Sequence, residues 1–456
     1  MAKKKQIELT IEEKLQNALV PKEEQPYKIP SNWCWTRLTF LSDLLTGNSI
    51  NAKEKENKYM NLSEGYNYIA TKDISFNSNI NYNNGVKIPF ENNFKIAKKN
   101  SSLLCIEGGS AGRKIGFLNQ DVCFVNKLCA FYPIKIEAKY LFYFLQSPIF
   151  NISFKEKMNG LIGGVSVAKL KDIPIILPPI NEQQRIVNRI ESLFVKLDRA
   201  KELIENTLAQ WEQNKMAILH KAFTGELTAK WRKENNIDLS SWQEKTIDEL
   251  CTSLKYGTSK KSKPEGSVVV LRMGNLQNGE IDWSNLMYTD DKDDIEKYLL
   301  KKGDVLFNRT NSPELVGKTS IYRGEYPAIY AGYLIKLDYG KDIIGEYLNY
   351  MMNSTKAKYY CYTVKTDGVS QSNINAKKIG AFEIPVPTIE EQQEIVNILD
   401  KLLAKYNKIK NLEQQLEKIE LLKKAILAKA FRGELGTNNP DEESAENLLK
   451  EILAEK

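Results

Sequence analysis

The stretch Pro178-Pro-Ile-Asn-Glu-Gln-Gln-Arg-Ile-Val-Asn188 occurs again, little changed, as Pro387-Thr-Ile-Glu-Glu-Gln-Gln-Glu-Ile-Val-Asn397. Each copy is followed by a second matching stretch, Lys215-Met-Ala-Ile-Leu-His-Lys-Ala-Phe-Thr-Gly-Glu-Leu227 and Lys423-Lys-Ala-Ile-Leu-Ala-Lys-Ala-Phe-Arg-Gly-Glu-Leu435. The copies lie 209 positions apart in the first pair and 208 in the second. Two matches in the same order indicate an internal duplication. The chain of 456 residues is therefore predicted to contain two homologous halves.

Weaker matches extend the duplication on either side of these stretches. Tyr140-Leu-Phe-Tyr143 corresponds to Tyr347-Leu-Asn-Tyr350, and Gly164-Val-Ser166 is matched with Gly368-Val-Ser370. The segment Ala445–Ala454 also resembles the beginning of the chain. The repeat is therefore predicted to be cyclic, with the last residues forming the start of another copy.

The segment that starts at the Glu-Gln-Gln motif has the pattern of a long amphipathic helix in both copies. No proline or glycine occurs from Asn181 to Phe223, and apolar residues recur at steps of three and four. The second copy predicts the same from about Glu390 to Phe431. The stripe predicted to form the spacer and partner-binding helices is Ile186, Ile190, Leu197, Ile204, Trp211, Ile395, Leu402, Ile409, Leu416 and Ile426.

The length of these helices bears on how they pack. A helix of roughly 40 residues spans about 60 Å, which is more than a small domain can cover. The two helices are therefore predicted to pair antiparallel, as a coiled coil about a pseudo-two-fold axis. The alternative is that each helix packs only on its own globular domain.

The segments between the helices predict two α+β domains with mostly short strands, because short apolar runs alternate with turn signals such as Asn84-Gly85 and Asn278-Gly279. The predicted fold class is α+β, with two repeated α+β domains separated by two long antiparallel coiled-coil helices. The predicted boundaries are 1–30 for an N-terminal helical segment, 31–178 and 228–386 for the two α+β domains, 179–227 and 387–435 for the long helices, and 436–456 for a C-terminal helical tail.

Composition argues against several classes of protein. The chain has 65 basic and 58 acidic residues, giving a formal net charge of +7, and a single histidine, His220. One histidine cannot build a multi-histidine metal site, and Ala428 stands at the matching position of the second copy. The six cysteines form no CxxC pair. We find no secretory signal and no apolar stretch long enough to span a membrane, so the protein is expected to be cytoplasmic.

Motifs for catalysis are also missing. Asn311-Ser-Pro-Glu-Leu-Val-Gly-Lys-Thr319 resembles a phosphate-binding loop but has Ser and Pro where the loop requires glycine. No S-adenosylmethionine-binding segment, nuclease carboxylate pair or metal-ligand set stands out. We therefore predict no catalytic residue, no metal site and no cofactor in this chain.

Polar loops near predicted strand ends are the remaining candidates for function. Arginine, asparagine and glutamine read base edges, whereas lysine and serine hold phosphates. Each loop taken singly also fits an ordinary solvated turn, but a polar loop in each of two domains joined by a rigid spacer suits a split target on a long polymer. The candidate DNA-binding residues are Lys72, Ser110, Arg113, Lys114, Ser166, Lys260, Lys261, Arg272, Asn275, Arg309, Thr310, Asn311, Lys318, Ser370, Gln371 and Asn373.

The two Glu-Gln-Gln-x-Ile-Val helix starts and the two Lys-Ala-Phe-x-Gly-Glu-Leu stretches resemble those of the specificity subunits of type I restriction-modification systems. The resemblance covers nearly the whole chain, including Trp33 and Trp242 at the entries to the two domains. It implies that each α+β domain is a target recognition domain that reads one half of an asymmetric, bipartite DNA site. The long helices would be the spacer whose length sets the unread gap.

The resemblance also implies partners. Two modification (methyltransferase) subunits would dock on the repeated frame, and restriction (translocase/nuclease) subunits would join them. S-adenosylmethionine, ATP and Mg are expected on those partners. Two alternatives stay open at this point: a coiled-coil scaffold that binds only protein, and a self-contained DNA-acting nuclease.

Overall fold

The computed structural model describes residues 9–158, 163–404 and 410–455. The chain divides into two compact units. The terminal unit comprises Met1–Leu203 and Gln415–Lys456, and the central unit comprises Ile204–Gln414. The terminal unit therefore contains both ends of the chain, as the cyclic repeat predicts.

The first half of the chain forms short strands and helices and then one long helix. Its helices are α1 (Ile11–Ala18), α2 (Leu38–Leu41), α3 (Ala52–Glu54), α4 (Ala138–Phe144), α5 (Pro148–Glu156), α6 (Val167–Lys171) and α7 (Ile180–Phe223). Its strands are β1 (Cys34–Arg37), β2 (Ser42–Thr46), β3 (Tyr66–Ile69), β4 (Lys87–Ile88), β5 (Ile96–Ala97), β6 (Ser102–Cys105), β7 (Ile115–Phe117), β8 (Val122–Phe124), β9 (Leu128–Pro133) and β10 (Pro174–Leu177).

The second half repeats this order. Its helices are α8 (Ala229–Glu234), α9 (Ile247–Leu250), α10 (Lys292–Tyr298), α11 (Gly345–Met352), α12 (Thr355–Val364), α13 (Ala376–Gly380), α14 (Ile389–Ala404), α15 (Lys410–Ala430) and α16 (Ala445–Ala454). Its strands are β11 (Gln243–Thr246), β12 (Cys251–Tyr256), β13 (Val268–Leu271), β14 (Leu276–Gln277), β15 (Glu280–Ile281), β16 (Tyr288–Thr289), β17 (Val305–Asn308), β18 (Thr310–Asn311), β19 (Thr319–Ile321), β20 (Ala328–Tyr330), β21 (Leu334–Tyr339), β22 (Thr366–Asp367), β23 (Ser372–Asn373) and β24 (Glu383–Val386).

The sheets show that both units contain the same domain. In the terminal unit β1 pairs with β10, one sheet has the order β2-β9-β6-β7, and β3 lies parallel to β8. In the central unit β11 pairs with β24, the matching sheet has the order β12-β21-β17-β19, and β13 lies parallel to β20. The central strands β6 and β17 are buried at every position, which explains their apolar runs. The predicted pair of repeated α+β domains is confirmed.

The first long helix, α7, spans Ile180–Phe223, so it begins one residue after and ends four residues before the predicted bounds 179–227. In the second copy α14 and α15 cover the predicted segment apart from the residues between them, and Ile409 lies outside the described residues. The predicted stripe divides by exposure. Ile186, Ile190 and Ile395 are fully buried, whereas Leu197, Ile204, Trp211, Leu402, Leu416 and Ile426 are half-buried.

The helices run antiparallel where the terminal unit brings them together. Lys201 of α7 pairs with Glu420 of α15 at 3.1 Å, and Asp198 pairs with Lys423 at 2.5 Å. One sequence number falls as the other rises, so the two directions are opposed. The buried start of α7, including Ile186, packs in its own domain core together with the end of α15. The predicted antiparallel pairing therefore occurs, and the start of α7 also packs on its own domain.

The second residue of each Glu-Gln-Gln motif holds the start of a long helix against its domain. Gln183 accepts from the Glu137 backbone N–H at 2.9 Å and donates to the Pro178 carbonyl at 3.0 Å. Gln392 accepts from the Ile344 backbone N–H at 2.9 Å and donates to the Pro387 carbonyl, also at 2.9 Å. Both glutamine side chains are fully buried, so leaving these groups unpaired would be costly. This bridging role explains why glutamine recurs.

The repeated Tyr-x-x-Tyr of α4 and α11 makes equivalent contacts in the two units. The first hydroxyl donates to a strand carbonyl, from Tyr140 to Ile176 and from Tyr347 to Pro385, at 2.8 Å in both cases. The second hydroxyl donates to a carboxylate on the long helix, and the relevant pairs are Tyr143 with Glu191 and Tyr350 with Asp400. The frame that joins each helix to its domain is thus the same in both copies.

The first residue of each motif is a buried glutamate. In the central unit, Glu391 accepts from Thr228 Oγ1 and Arg232 Nη1, both at 2.6 Å, and from Trp242 Nε1 at 2.9 Å. These donors lie after the preceding long helix, so the glutamate joins the end of one repeat to the start of the next.

The matching glutamate of the terminal unit makes the same kind of contact. Glu182 accepts from Thr437 Oγ1 at 2.6 Å and from Arg185 Nη2 at 2.5 Å. Here the hydroxyl belongs to the C-terminal segment, so this segment takes the place that the residues after α7 have in the central unit. A 2.7 Å ion pair between Lys450 of α16 and Glu12 of α1 also joins the two ends of the chain.

Candidate nucleic-acid interface

In the central unit, the strongest candidate feature is a cluster formed by Tyr256, Arg309, Thr310 and Asn373, which we call the Arg309 cluster. The Arg309 guanidinium lies over the Tyr256 ring, 4.8 Å from its centroid. Asn373 donates to Thr310 Oγ1 at 2.8 Å and faces Arg309 Nη2 at 3.5 Å. The pairing of β18 with β23 brings Asn373 next to Arg309, although the two residues are 64 positions apart in the sequence. Arg309, Thr310 and Asn373 are among the DNA-binding residues predicted from the sequence, whereas Tyr256 is not.

A small hairpin stands beside this cluster. Strands β22 and β23 are joined by a turn in which the Gly368 backbone N–H donates to the Gln371 carbonyl at 2.8 Å. Ser370 and Gln371 are exposed at its tip, as candidates for DNA contact must be. Ser372 bonds to Asp367 across the base of the hairpin. The tip therefore exposes polar side chains on a hairpin that its own hydrogen bonds stabilise.

Other predicted residues of the central unit are used inside the protein. Asn275 is only 3% exposed, and its amide donates to the carbonyls of Asp282 and Ser284. Arg272 donates to the Asn285 carbonyl at 2.9 Å, and Lys318 donates to Gln277 Oε1 at 2.8 Å. These contacts stabilise the turns around β14 and β15.

The remaining predicted residues of the central unit differ in whether their side chains already have a partner within the protein. Lys260 pairs with Asp291 at 2.7 Å and with Asp294 at 3.4 Å, and this pairing raises the pKa of its ammonium. Lys261 is exposed and forms no ion pair with any described residue. The side-chain oxygen of Asn311 accepts from the Ser312 backbone N–H at 2.8 Å. Lys261 thus remains available for a phosphate.

The terminal unit presents a different arrangement. Phe76 is 58% exposed, and both Arg113 and Lys114 lie over its ring, at 4.9 and 5.2 Å from the centroid. The Lys114 ammonium also donates to the Thr71 carbonyl at 3.1 Å, which places it beside exposed Lys72. An exposed aromatic ring that carries two cations suits a phosphate backbone or a base edge. Phe76, like Tyr256 in the central unit, was not among the candidates predicted from the sequence.

Two predicted serines of the terminal unit have local structural roles. Ser166 is the N-cap of α6, where Oγ accepts from the Lys169 backbone N–H at 3.4 Å. Ser110 lies in the turn that ends at Lys114, and its carbonyl accepts from the Arg113 N–H at 3.0 Å. Ser110 therefore orients Arg113 through the backbone.

The predicted match between Ser166 and Ser370 is wrong. The Val165 backbone N–H donates to the Ile106 carbonyl, and the Ile374 N–H donates to the Arg309 carbonyl. These equivalent bonds align Ser166 with Asn375, which is likewise the N-cap of its helix, α13. The hairpin that carries Ser370 precedes this point, so the short Gly-Val-Ser match arose by chance.

The central unit also has a cleft of about 750 Å³ between α7, the β14–β15 turn and α14. Its charged lining residues are mostly acidic, namely Glu212, Glu280, Asp282, Asp400 and Glu413 against Lys215 and Arg323. A surplus of carboxylates repels phosphates, so this cleft is not a candidate for DNA binding.

Other kinds of site are not apparent in the parts of the chain that the structure describes. No group of three or more histidine, cysteine, aspartate or glutamate residues among them is arranged to hold a metal ion. All six cysteines are free thiols, and burial raises the pKa of Cys129 to about 12. His220 is exposed in the last turn of α7. Among the described helices none has the length and apolar content to span a membrane.

The fold defines a class of protein, in which one chain carries two copies of one α+β domain, each joined to a long helix. The family model for the type I restriction modification DNA specificity domain matches residues 30–210 and 240–421. The chain belongs to this family.

Curated relatives and a solved structure agree with this assignment. The specificity subunit of the type I restriction enzyme EcoKI from Escherichia coli strain K12 is 29% identical over 324 residues, covering 66% of this chain and 69% of that protein. The StySPI specificity subunit from Salmonella potsdam is 26% identical over 462 residues, covering 94% and 96%. One solved structure, described for complex assembly and conformational transition of the type I R-M system, matches with a TM-score of 0.66 at 19% identity, covering 90% of this chain and 100% of its own. At this identity the likeness concerns the fold.

Proposed function

We propose that this chain is the DNA sequence-recognition subunit of a type I restriction-modification complex, and that each unit reads one half of a bipartite, asymmetric site. The observation that carries the proposal is the occurrence of two specificity domains in one chain. Their candidate surfaces differ, with Arg309 on Tyr256 in one and Arg113 on Phe76 in the other. Different side chains on one scaffold are what an asymmetric target requires.

The proposed partners are double-stranded DNA, two modification (methyltransferase) subunits and restriction (translocase/nuclease) subunits. The glutamine and tyrosine contacts of the frame occur once per repeat, which favours two equivalent docking sites for modification subunits. S-adenosylmethionine, ATP and Mg would be bound by the partners, and we assign no reaction to this chain. Neither a protein-only scaffold nor a self-contained nuclease is supported by the family.

The proposal is tested by mapping methylated adenines in cells with and without the gene. We expect a motif of two short half-sites, separated by an unread gap, to lose methylation when the gene is deleted. A methylation pattern that is the same in both strains, while the modification subunits are expressed, would contradict the proposal.

The spacer role of the long helices gives a second prediction. The unread gap should lengthen by one or two base pairs when four residues are inserted into α7 near Ala209, because they add about 6 Å of helix and a base pair occupies about 3.4 Å. Mapping methylated sites measures the gap.

A control insertion of four residues at the exposed turn around Asn236, outside any helix, should leave the gap unchanged. Altered half-sites with an unaltered gap would show that α7 is not the spacer.

The modest net charge of +7 predicts that this chain and its modification subunits contact the DNA phosphates together. Each phosphate contact contributes about 0.9 to the slope of log affinity against log salt concentration. We expect the complex with modification subunits to show a steeper slope than this chain alone, measured by fluorescence anisotropy between low and physiological salt. Equal slopes would mean that the partners add no phosphate contacts.

A further inference from the structure

The backbone of Arg309 is fixed on both sides. Its N–H donates to the Tyr333 carbonyl at 3.0 Å, and its carbonyl accepts from the Ile374 N–H at 2.8 Å. The residue directly follows β17, a strand buried at every position. The side chain therefore starts from a rigid point at the edge of the sheet.

The guanidinium of Arg309 is held in place but incompletely bonded. The hydroxyl of Tyr256, whose ring lies under the guanidinium, accepts from the Ala376 backbone N–H at 2.9 Å. Nη1 donates to the Gly332 carbonyl at 3.3 Å and Nη2 to Asn373 Oδ1 at 3.5 Å, both long for hydrogen bonds. Nε is buried without a hydrogen-bond partner among the described residues.

The supporting groups are themselves oriented. Asn373 directs its side-chain oxygen at Arg309 because its amide nitrogen donates to Thr310 Oγ1 at 2.8 Å. No described carboxylate forms an ion pair with Arg309. An arginine with several N–H donors, stacked on a ring and without a counter-charge, is prepared for an external acceptor.

The fold does not require an arginine at this position. In the terminal unit, Ile106 makes the same pair of backbone bonds, to the Lys127 carbonyl and from the Val165 N–H. Ile106 is buried, at 7% exposure. A residue that is aliphatic in one copy and a stacked arginine in the other is a difference between the two reading surfaces rather than a part of the frame.

We propose that Arg309 reads a guanine in the half-site bound by the central unit, donating from its guanidinium to O6 and N7 in the major groove. This pairing is the commonest specific contact of arginine with DNA because the two donors match the two acceptors. Tyr256 and Asn373 are positioning residues that hold the guanidinium plane. The inference rests on the proposed DNA-recognition function and adds the side chain, the base and the half-site.

The test uses the full chain reconstituted with its modification subunits and a pool of duplexes randomised over both half-sites. We expect Arg309→Ala to reduce the preference for guanine at one position of one half-site by about 10- to 100-fold. The other half-site should keep its sequence. Tyr256→Ala, which leaves the arginine but removes its support, should weaken the same position.

Matched variants separate base reading from other roles. Lys261→Gln, at an exposed cation of the same unit, should weaken binding to all sequences evenly and lower the salt slope by about one. Melting temperatures of all variants, measured alongside, show that they are folded. An unchanged motif in folded Arg309→Ala, or an even loss for all sequences, would overturn the role of Arg309. A wild-type complex that selects no bipartite motif would instead overturn the proposed function.

Discussion

Glu391→Ala is expected to lower the free energy of unfolding of the central unit by about 3–5 kcal/mol, the usual cost of removing one partner from a buried ion pair. Glu391 is fully buried, and Arg232 is 7% exposed. The substitution would leave the guanidinium, the Thr228 hydroxyl and the Trp242 indole N–H without their common acceptor. The loss should appear as a lower melting temperature and as faster amide hydrogen exchange in β11 and β24.

Two variants show whether the trapped charge causes the effect. Glu390→Ala, at the exposed neighbour, should change stability by less than about 0.5 kcal/mol. Glu391→Leu combined with Arg232→Met removes both charges and should cost less than Glu391→Ala alone. If the double variant is the less stable of the two, the cost does not come from an unpaired arginine. Glu182→Ala should cost less than Glu391→Ala, because Arg185 is partly exposed and keeps its 2.6 Å contact with Glu442.

The repeat could be predicted from the sequence because it depends on motifs and residue spacings within short segments. The start and end of α7, the apolar stripe and the order of domain and helix all follow from the spacing of residues along one segment. The partners of the Glu-Gln-Gln motif could not be predicted. Arg232 lies 159 positions from Glu391, and tertiary contacts such as the pairing of β11 with β24 bring the two neighbourhoods together.

The candidate interface was predicted less completely, for the same reason. The structure brings the candidates Arg309, Thr310 and Asn373 together, which the sequence did not predict. Tyr256 and Phe76 were not among the candidates because an aromatic residue is usually assigned to the core. A signal was available for both residues, since each stands within a few positions of glycine, asparagine or lysine rather than in an apolar run. Asn275 was predicted to contact DNA, but its side-chain amide donates to backbone carbonyls inside the protein. Whether any of these residues contacts DNA stays a prediction.

Phe431→Ala is expected to destabilise the terminal unit by about 3–5 kcal/mol, the range for removing a buried aromatic ring. Phe431 is fully buried, with its ring centroid 5.3 Å from that of Tyr140 and 5.4 Å from that of Phe144. Its carbonyl also accepts from the Tyr27 hydroxyl at 2.9 Å. The ring therefore packs the chain at the end of α15 against the core of the first domain. Alanine would leave a cavity there.

The pattern of the loss distinguishes this role from a general weakening of the helix. Amide hydrogen exchange, followed by mass spectrometry, should rise in α4, α1 and α16, because α1 and α16 pack on the same core. Exchange in the β12-β21-β17-β19 sheet should be unchanged. Leu422→Ala on α15, where the side chain is 50% exposed, should cost under about 0.5 kcal/mol. Equal losses for Leu422→Ala and Phe431→Ala would mean that burial of the Phe431 ring does not have the predicted role in closing the repeat.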